Sequence, residues 1–264
     1  MSEASPTEWK PDDYLRFEDL RLRPALDLLA QIPLENPTYI TDLGCGPGNV
    51  TPFLRRRWPG ADITGLDSSA AMLMRAKAEH QHLGVTWQQT DVRTWAAPVP
   101  QDLIYSNAVL HWIDDHAALF SRLMSVLRPG GVLAVQMPNQ FNEPSHTLMR
   151  EVARSGPWAE TLTPLLRAAP VADTGAYYDW LQPLSTQLKI WETTYTQTLE
   201  GEDPVLDWIS STALKPLLEA LDIDVRTAYR TALAGELRRA YPKRPDAKTL
   251  FPFRRLFIVA EALR

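Results

Sequence analysis

Between residues 39 and 135, short strand-like runs alternate with segments of helical length, and this alternation constrains the fold more than any other feature of the chain. The runs are Tyr39-Ile-Thr-Asp-Leu43, Ile63-Thr-Gly-Leu66, Val85-Thr-Trp87, Leu103-Ile-Tyr105 and Val132-Leu-Ala-Val135. Strands separated by helices are joined by crossovers, so the pattern predicts an open α/β sandwich with a parallel sheet. The crossover helices are expected to start near Asn49, Ser69 and Asp115. Leu127-Arg-Pro-Gly-Gly131 is expected to stop the last of them and turn the chain into the fifth strand. In such a sheet, ligands gather at the carboxyl ends of the strands.

Upstream, Leu15, Leu22, Leu26 and Leu29 have helical spacing from about Asp13 to Ala30, with Pro33 as the stop. Beyond Met137 the texture changes. Prolines recur at 138, 144, 157, 164 and 170, and the apolar residues take helical spacing. Leu188–Tyr195 then alternates as a half-buried strand should, Pro204–Tyr241 reads as helical, and Phe257–Ala260 reads as a last strand. These readings give one domain over 1–264. It comprises an N-terminal helical cap (1–32), an α/β core (33–138), a helical lid (139–187 and 202–250) and two late strands (188–201 and 251–264).

The chain carries 27 basic and 32 acidic residues, a net charge of −5, which gives no support for wholesale binding to a nucleic-acid backbone. No run approaches the roughly 18 apolar residues of a membrane span. The polar, acidic start differs from a signal peptide, so a cytoplasmic protein is expected. Cys45 is the sole cysteine, which excludes an internal disulfide and a multi-cysteine zinc site. His80 and His82 have no third ligand at suitable spacing, so no metal is expected.

The chemistry gathers at Asp42-Leu-Gly-Cys-Gly-Pro-Gly48, a D-x-G-x-G-x-G loop that follows the first strand and runs into a helix. Its glycines permit a sharp turn and let backbone N–H groups reach a ligand. The dinucleotide spacing G-x-G-x-x-G is not met, because the third glycine falls on Asn49 or Thr51 depending on the starting point. Asp67 ends the second strand about 20 residues beyond the loop, where a carboxylate can take both hydroxyls of a ribose. Asp91 closes the third strand region at the same edge, suited to accept from an amino group such as that of adenine.

DLGCGPG, GLDSS, TDVRTW, IYSNAVLHWI and LRPGG, in that order, resemble the signature of class I S-adenosylmethionine-dependent methyltransferases over residues 39 to 137. The resemblance implies a Rossmann-like sandwich with a mostly parallel seven-stranded sheet and helices on both faces. It further implies that Gly44, Cys45, Gly46 and Gly48 approach the amino-acid part of S-adenosylmethionine, which leaves as S-adenosylhomocysteine. Asp67 would hold the ribose, Ser68 would be a further cofactor contact, Asp91 and the backbone at Val92 would hold the adenine, and Asn107 would lie under the methionine portion.

The flanks Trp9–Tyr14, Arg21–Pro24, Gln136–Pro138, Glu143–Ala153, Ala176–Asp179, Trp191–Tyr195 and Arg255–Ala260 are similar to one branch of that family. Its members esterify a carboxylate of a small tricarboxylate. Residues 154–172 depart from it, so side-chain assignments there stay open. A carboxylate is already ionised at neutral pH, so methyl transfer to it needs no general base, and the task is placement and charge management. Arg23, Arg150 and Arg255 are the candidate carboxylate clamps, with Tyr14, His146 and Tyr178 as hydrogen-bond partners and Trp112 as an apolar wall.

Two alternatives stay open: another small or carrier-bound carboxylic acid, and a cofactor-binding regulator without turnover. A carrier protein calls for a basic docking patch, and Arg55–Arg57 and Arg238–Arg239 are the candidates. Nothing in the sequence sets the oligomeric state.

Overall fold

The seven strands form one sheet in the order β3-β2-β1-β4-β5-β7-β6, seen in a computed structural model that describes residues 18–263. The strands are β1 (Tyr39–Leu43), β2 (Asp62–Asp67), β3 (Thr86–Gln89), β4 (Gln101–Asn107), β5 (Leu127–Pro138), β6 (Ser185–Leu199) and β7 (Thr249–Ala262). Pairings among β1 to β5 are parallel, and β7 runs antiparallel to β5. The expected sandwich and its crossovers are therefore present; β1 coincides with its apolar run, β3 is shifted by one to two residues, and the other strands extend beyond theirs. The first helix, α1 (Glu18–Ala30), follows the expected leucine spacing over its described part.

The central strands are buried on both faces, which is why β4 and β5 read as continuous apolar runs. One face packs Ile104, Leu133, Val135 and Ile258 against Leu119, Phe120 and Leu123 of α4 (His116–Ser125). The other receives α1, where the Tyr105 hydroxyl donates to the Ala25 carbonyl at 2.8 Å. Arg57, at the end of α2 (Thr51–Arg57), donates to the Leu29 and Ile32 carbonyls and so supplies α1 with the C-terminal partners its own last turn lacks. The helix α3 (Ala70–His80) starts under a Ser69 cap. In α4 the cap is Asp115, which holds φ +53° to do it.

The LRPGG turn differs from expectation in one detail. The helix stops at Ser125 and the strand is already running at Leu127. Gly131 is required by close backbone approach, since a Cβ there would sit 2.7 Å from the Gln101 carbonyl oxygen, where the β4–β5 register shifts. Fully buried Asp102 accepts from the Thr38 and Tyr39 N–H groups and pairs with Arg128, tying this corner to the start of β1.

Two compact units emerge. Among the described residues the larger holds 18–138, 170–193 and 255–263, and the smaller holds 139–169 and 194–254. The segment expected as lid thus divides. Within it, α7 (Thr174–Leu181) belongs to the larger unit, where buried Tyr177 contacts His116 through its hydroxyl at 2.5 Å. The smaller unit is helical, built on α5 (Pro144–Ser155), α6 (Ala159–Leu162), α8 (Pro204–Ser210), α9 (Lys215–Glu219) and α10 (Ile223–Ala240). The single helical stretch expected from Pro204 to Tyr241 is therefore three helices. Its interior joins α10 to α5, where the Tyr229 hydroxyl donates to the Met149 carbonyl and its ring packs edge-on against Trp158. Among the described residues no helix is long and apolar enough to cross a membrane.

Candidate active site

The loop after β1 is held by its own glycines. Gly44, Gly46 and Gly48 have φ of +75°, +56° and +86°, a region that side chains with a Cβ rarely enter. Gly44 and Cys45 both donate to the Leu66 carbonyl, at 2.7 and 2.8 Å, which draws the loop over the end of β2. A Cβ on Gly44 would fall 2.3 Å from Val109, and one on Gly48 would fall 2.8 Å from His80. At Gly46 nothing lies within 4 Å of that position, so the backbone there faces open space.

Asp67 sits at the end of β2 and braces the loop. Its Oδ2 accepts from the Gly46 N–H at 2.8 Å and its Oδ1 from the Ser69 N–H at 2.8 Å. Each oxygen keeps a second lone pair, the capacity a pair of vicinal hydroxyls needs. Burial pushes its carboxyl above the usual range, against the backbone bonds that pull it down. Burial also raises the Cys45 thiol, reinforced by Asp42 and Asp67, so this cysteine is a poor nucleophile.

Asp42 lies at the base of the loop, fully enclosed, with the Thr51 hydroxyl donating to its Oδ2 at 2.7 Å. Burial carries its pKa up to about 7, and nearby Asp67 adds to the rise. Below about pH 4 both the folded and unfolded chains hold this proton. Between there and about pH 7 the folded protein retains what the unfolded chain has released, so stability falls as pH rises and levels off above that. The difference between the two plateaus is about 4 kcal/mol. Asp42→Asn removes it. Its melting temperature relative to the parent should rise from pH 5 to about pH 7 and then level off in scanning calorimetry, whereas a constant difference throughout would show that Asp42 does not titrate there.

At the third strand end, the Asp91 carboxylate is gripped by Arg93, with Nε at 2.9 to 3.0 Å and Nη2 at 2.5 Å, which lowers its pKa. The Val92 and Trp95 carbonyls accept from Arg122 at 2.6 Å, pinning this loop to α4; sequence reasoning assigned Arg122 no role. The Ser68 carbonyl accepts from Gln89. At the end of β4, Asn107 presents a buried Oδ1 with no hydrogen-bond partner.

The proposed acid-binding residues are more dispersed. Tyr14 lies outside the described residues. Arg23 is 71 % exposed and paired with Asp27 one helical turn away at 2.9 Å. Trp112 is 37 % exposed, and Tyr178 is 55 % exposed beside its buried neighbour Tyr177. Arg255 is a buried cation opposite Pro138 at the same strand edge as Asn107. In the smaller unit, Arg150 lies 3.7 Å over the Phe141 ring with its Nη1 buried and unpartnered. In the same unit, burial and then Arg150 lower His146 to about 4, keeping it neutral at pH 7. Among the described residues no group of three His, Cys, Asp or Glu side chains is disposed to hold a metal ion.

Asp67 at the end of β2 and Asn107 at the end of β4 thus present acceptor oxygens at the carboxyl edge of the sheet, whereas the N–H groups of the 44–48 loop, expected to face a ligand, all donate within the chain. Residues 40–131 match the methyltransferase-domain family. The YcgJ protein of Bacillus subtilis has the same fold at a TM-score of 0.60 and 13 % identity, with 92 % of this chain and 99 % of that one covered. A Haemonchus contortus phosphoethanolamine N-methyltransferase, solved with S-adenosyl-L-methionine, aligns at 0.54 and 16 % identity over 92 % of this chain and 53 % of that one. The fold is that of a class I methyltransferase.

Full-length relatives are more specific. Trans-aconitate 2-methyltransferase of Azoarcus sp. (strain BH72) is 48 % identical over 252 residues, 96 % of this chain and 98 % of that one. The enzymes of the same name from Rhodopseudomonas palustris (strain BisB18) and Yersinia pestis (strain Pestoides F) are each 45 % identical, with at least 96 % of this chain and 98 % of theirs covered. This chain belongs to the trans-aconitate 2-methyltransferase family.

Proposed function

We propose that this protein transfers the methyl group of S-adenosylmethionine to one carboxylate of trans-aconitate, forming the monomethyl ester and S-adenosylhomocysteine in the cytoplasm. The observation that carries the reading is identity of 44 to 48 % to enzymes of that name over nearly the whole chain, far beyond the core that other methyltransferases share. When bound, S-adenosylmethionine supplies an electrophilic methyl: the carboxylate oxygen forms the new C–O bond as the C–S bond breaks with its electron pair going to sulfur.

The chain's residues do the rest by placement. The N–H groups of Gly44, Cys45, Gly46 and Gly48 already donate within the chain, so the loop meets the cofactor's amino-acid portion with its open face at Gly46, while Asp67 takes the ribose and Asn107 the ammonium. Asp91 and the Val92 N–H are assigned to adenine, for which Asp91 shares its oxygens between Arg93 and the base. Because the acid arrives ionised, no residue has to remove a proton. Buried negative charge left unpaired is costly, so a cation must meet the acid, and Arg255, a buried cation of the larger unit, is assigned to one of its carboxylates. Arg255→Met should raise the KM for the acid by about 10- to 100-fold while leaving cofactor affinity in calorimetry unchanged. If KM does not move, the clamp lies elsewhere.

A carrier-bound acid is disfavoured by the state of the candidate docking arginines. Arg55 donates to the Pro59, Ala61 and Gly84 carbonyls, and Arg57 to the end of α1. Arg238 forks onto Asp203, and Arg239 pairs with Glu236. Arg56 lies over the Phe53 ring at 5.1 Å, so each of these cations has a partner within the chain. The test is methyl transfer from radiolabelled S-adenosylmethionine to trans-aconitate, cis-aconitate, isocitrate and citrate, counting base-labile ester. Selective labelling of trans-aconitate is expected. Cofactor binding with no acid labelled would return the protein to the regulator reading.

A further inference from the structure

Gln136, on β5, is 1 % exposed, and its side-chain Nε2 has no hydrogen-bond partner. The residues before it on the same face of the strand, Val132 and Ala134, are apolar and fully buried, so nothing in the local packing calls for an amide. A buried donor left unmade carries the whole cost of its lost hydration, and a methionine of similar volume would remove that cost. Such an orphan calls for an explanation, and use by a ligand is one.

Its neighbours identify the ligand's chemistry. In register on one side stands Asn107, whose Oδ1 is a buried acceptor with no donor. In register on the other side stands Phe257, stacked on Trp191 at 4.8 Å between ring centroids and offering no acceptor. A donor and an acceptor side by side on one face, both unsatisfied, match a pair of ligand groups of opposite kind: an amine for Asn107 and an anionic oxygen for Gln136. The buried cation Arg255, two residues from Phe257 and on the same face, adds to the attraction for an anion.

We infer that Gln136 is a substrate-binding residue whose side-chain amide donates to the carboxylate that receives the methyl group, holding that oxygen beside the cofactor's amino-acid portion at Asn107. The assignment rests on the functional reading above. It makes the β4–β5–β7 strand edge, through Asn107, Gln136 and Arg255, the part of the larger unit that selects a carboxylate nucleophile.

The experiment compares the parent with Gln136→Met and Gln136→Glu in four measurements: trans-aconitate KM, kcat, S-adenosylhomocysteine affinity by calorimetry, and melting temperature without ligand. For Gln136→Met, kcat/KM is expected to fall about 10- to 100-fold, mainly through KM, with nucleoside affinity held within twofold and melting temperature unchanged or raised. Gln136→Glu places a second carboxylate beside the first and should lose more than Gln136→Met, with activity partly returning as pH is lowered. Two results overturn the assignment while the parent methylates trans-aconitate: a Gln136→Met enzyme within threefold of the parent, or a fall in melting temperature and nucleoside affinity together, which marks a structural amide. A parent that labels no trans-aconitate defeats the functional reading itself, seen in that arm alone, and this assignment with it.

Discussion

Replacing Asp67 with alanine should weaken S-adenosylmethionine binding about 100-fold or more. Loss of a charged hydrogen bond to the ribose accounts for roughly 1.5–3 kcal/mol by itself. The structure adds a second loss, because the same carboxylate accepts from the Gly46 and Ser69 N–H groups. Alanine leaves both donors without their acceptor and frees the loop to move off the end of β2, so the cofactor loses one partner and the preorganisation of several others. Asp67→Asn separates the two contributions. It keeps one acceptor oxygen and the side chain's shape, and should fall between alanine and the parent. Titration calorimetry with S-adenosylhomocysteine measures both, and an alanine variant within threefold of the parent would remove Asp67 from the site.

Gly44→Ala should destabilise the protein by about 3 kcal/mol or more and abolish cofactor binding in whatever fraction still folds. Two independent penalties combine. A φ of +75° costs a residue bearing a Cβ on the order of 1–3 kcal/mol, and the new methyl would lie 2.3 Å from the Val109 side chain, well inside contact distance, for roughly another 1–3 kcal/mol. Gly46→Ala is the matched control. Its φ of +56° brings the backbone penalty alone, since its Cβ would enter open space. That variant should keep most of the stability while still losing affinity, because the methyl occupies the space in front of the loop. Urea melts and calorimetry on the pair check the ordering, and equal stabilities for the two variants would contradict it.

The legibility of this site in the sequence follows from how local each feature is. Asp42 through Gly48 is contiguous, and its meaning is written in residues that only a tight turn requires. Asp67 and Asp91 stand at strand ends whose positions follow from apolar runs. The acid-binding side was harder to read because it depends on side chains far apart in the chain. Arg23 looks like a clamp in sequence and is an exposed partner of Asp27, while Arg55 and Arg57 look like a docking patch and serve backbone carbonyls of their own unit. Gln136 stands out in the sequence only as the start of a family-like flank, with no role of its own, for the complementary reason. In a strand of apolar residues a lone glutamine is unremarkable until its burial and missing partner are seen.

What the sequence by itself determined is the class of sandwich, the glycine loop and the acidic strand ends, because helix and strand periodicity and backbone conformation are properties of neighbouring residues. Only the tertiary structure decided which charges are spent and which are available. It pairs Arg93 with Asp91 and buries Asp102 with Arg128, and it sets the unsatisfied amide of Gln136 in register beside the unsatisfied carbonyl of Asn107. Hydrogen-bond satisfaction and burial depend on residues that meet only when strands distant in sequence pair.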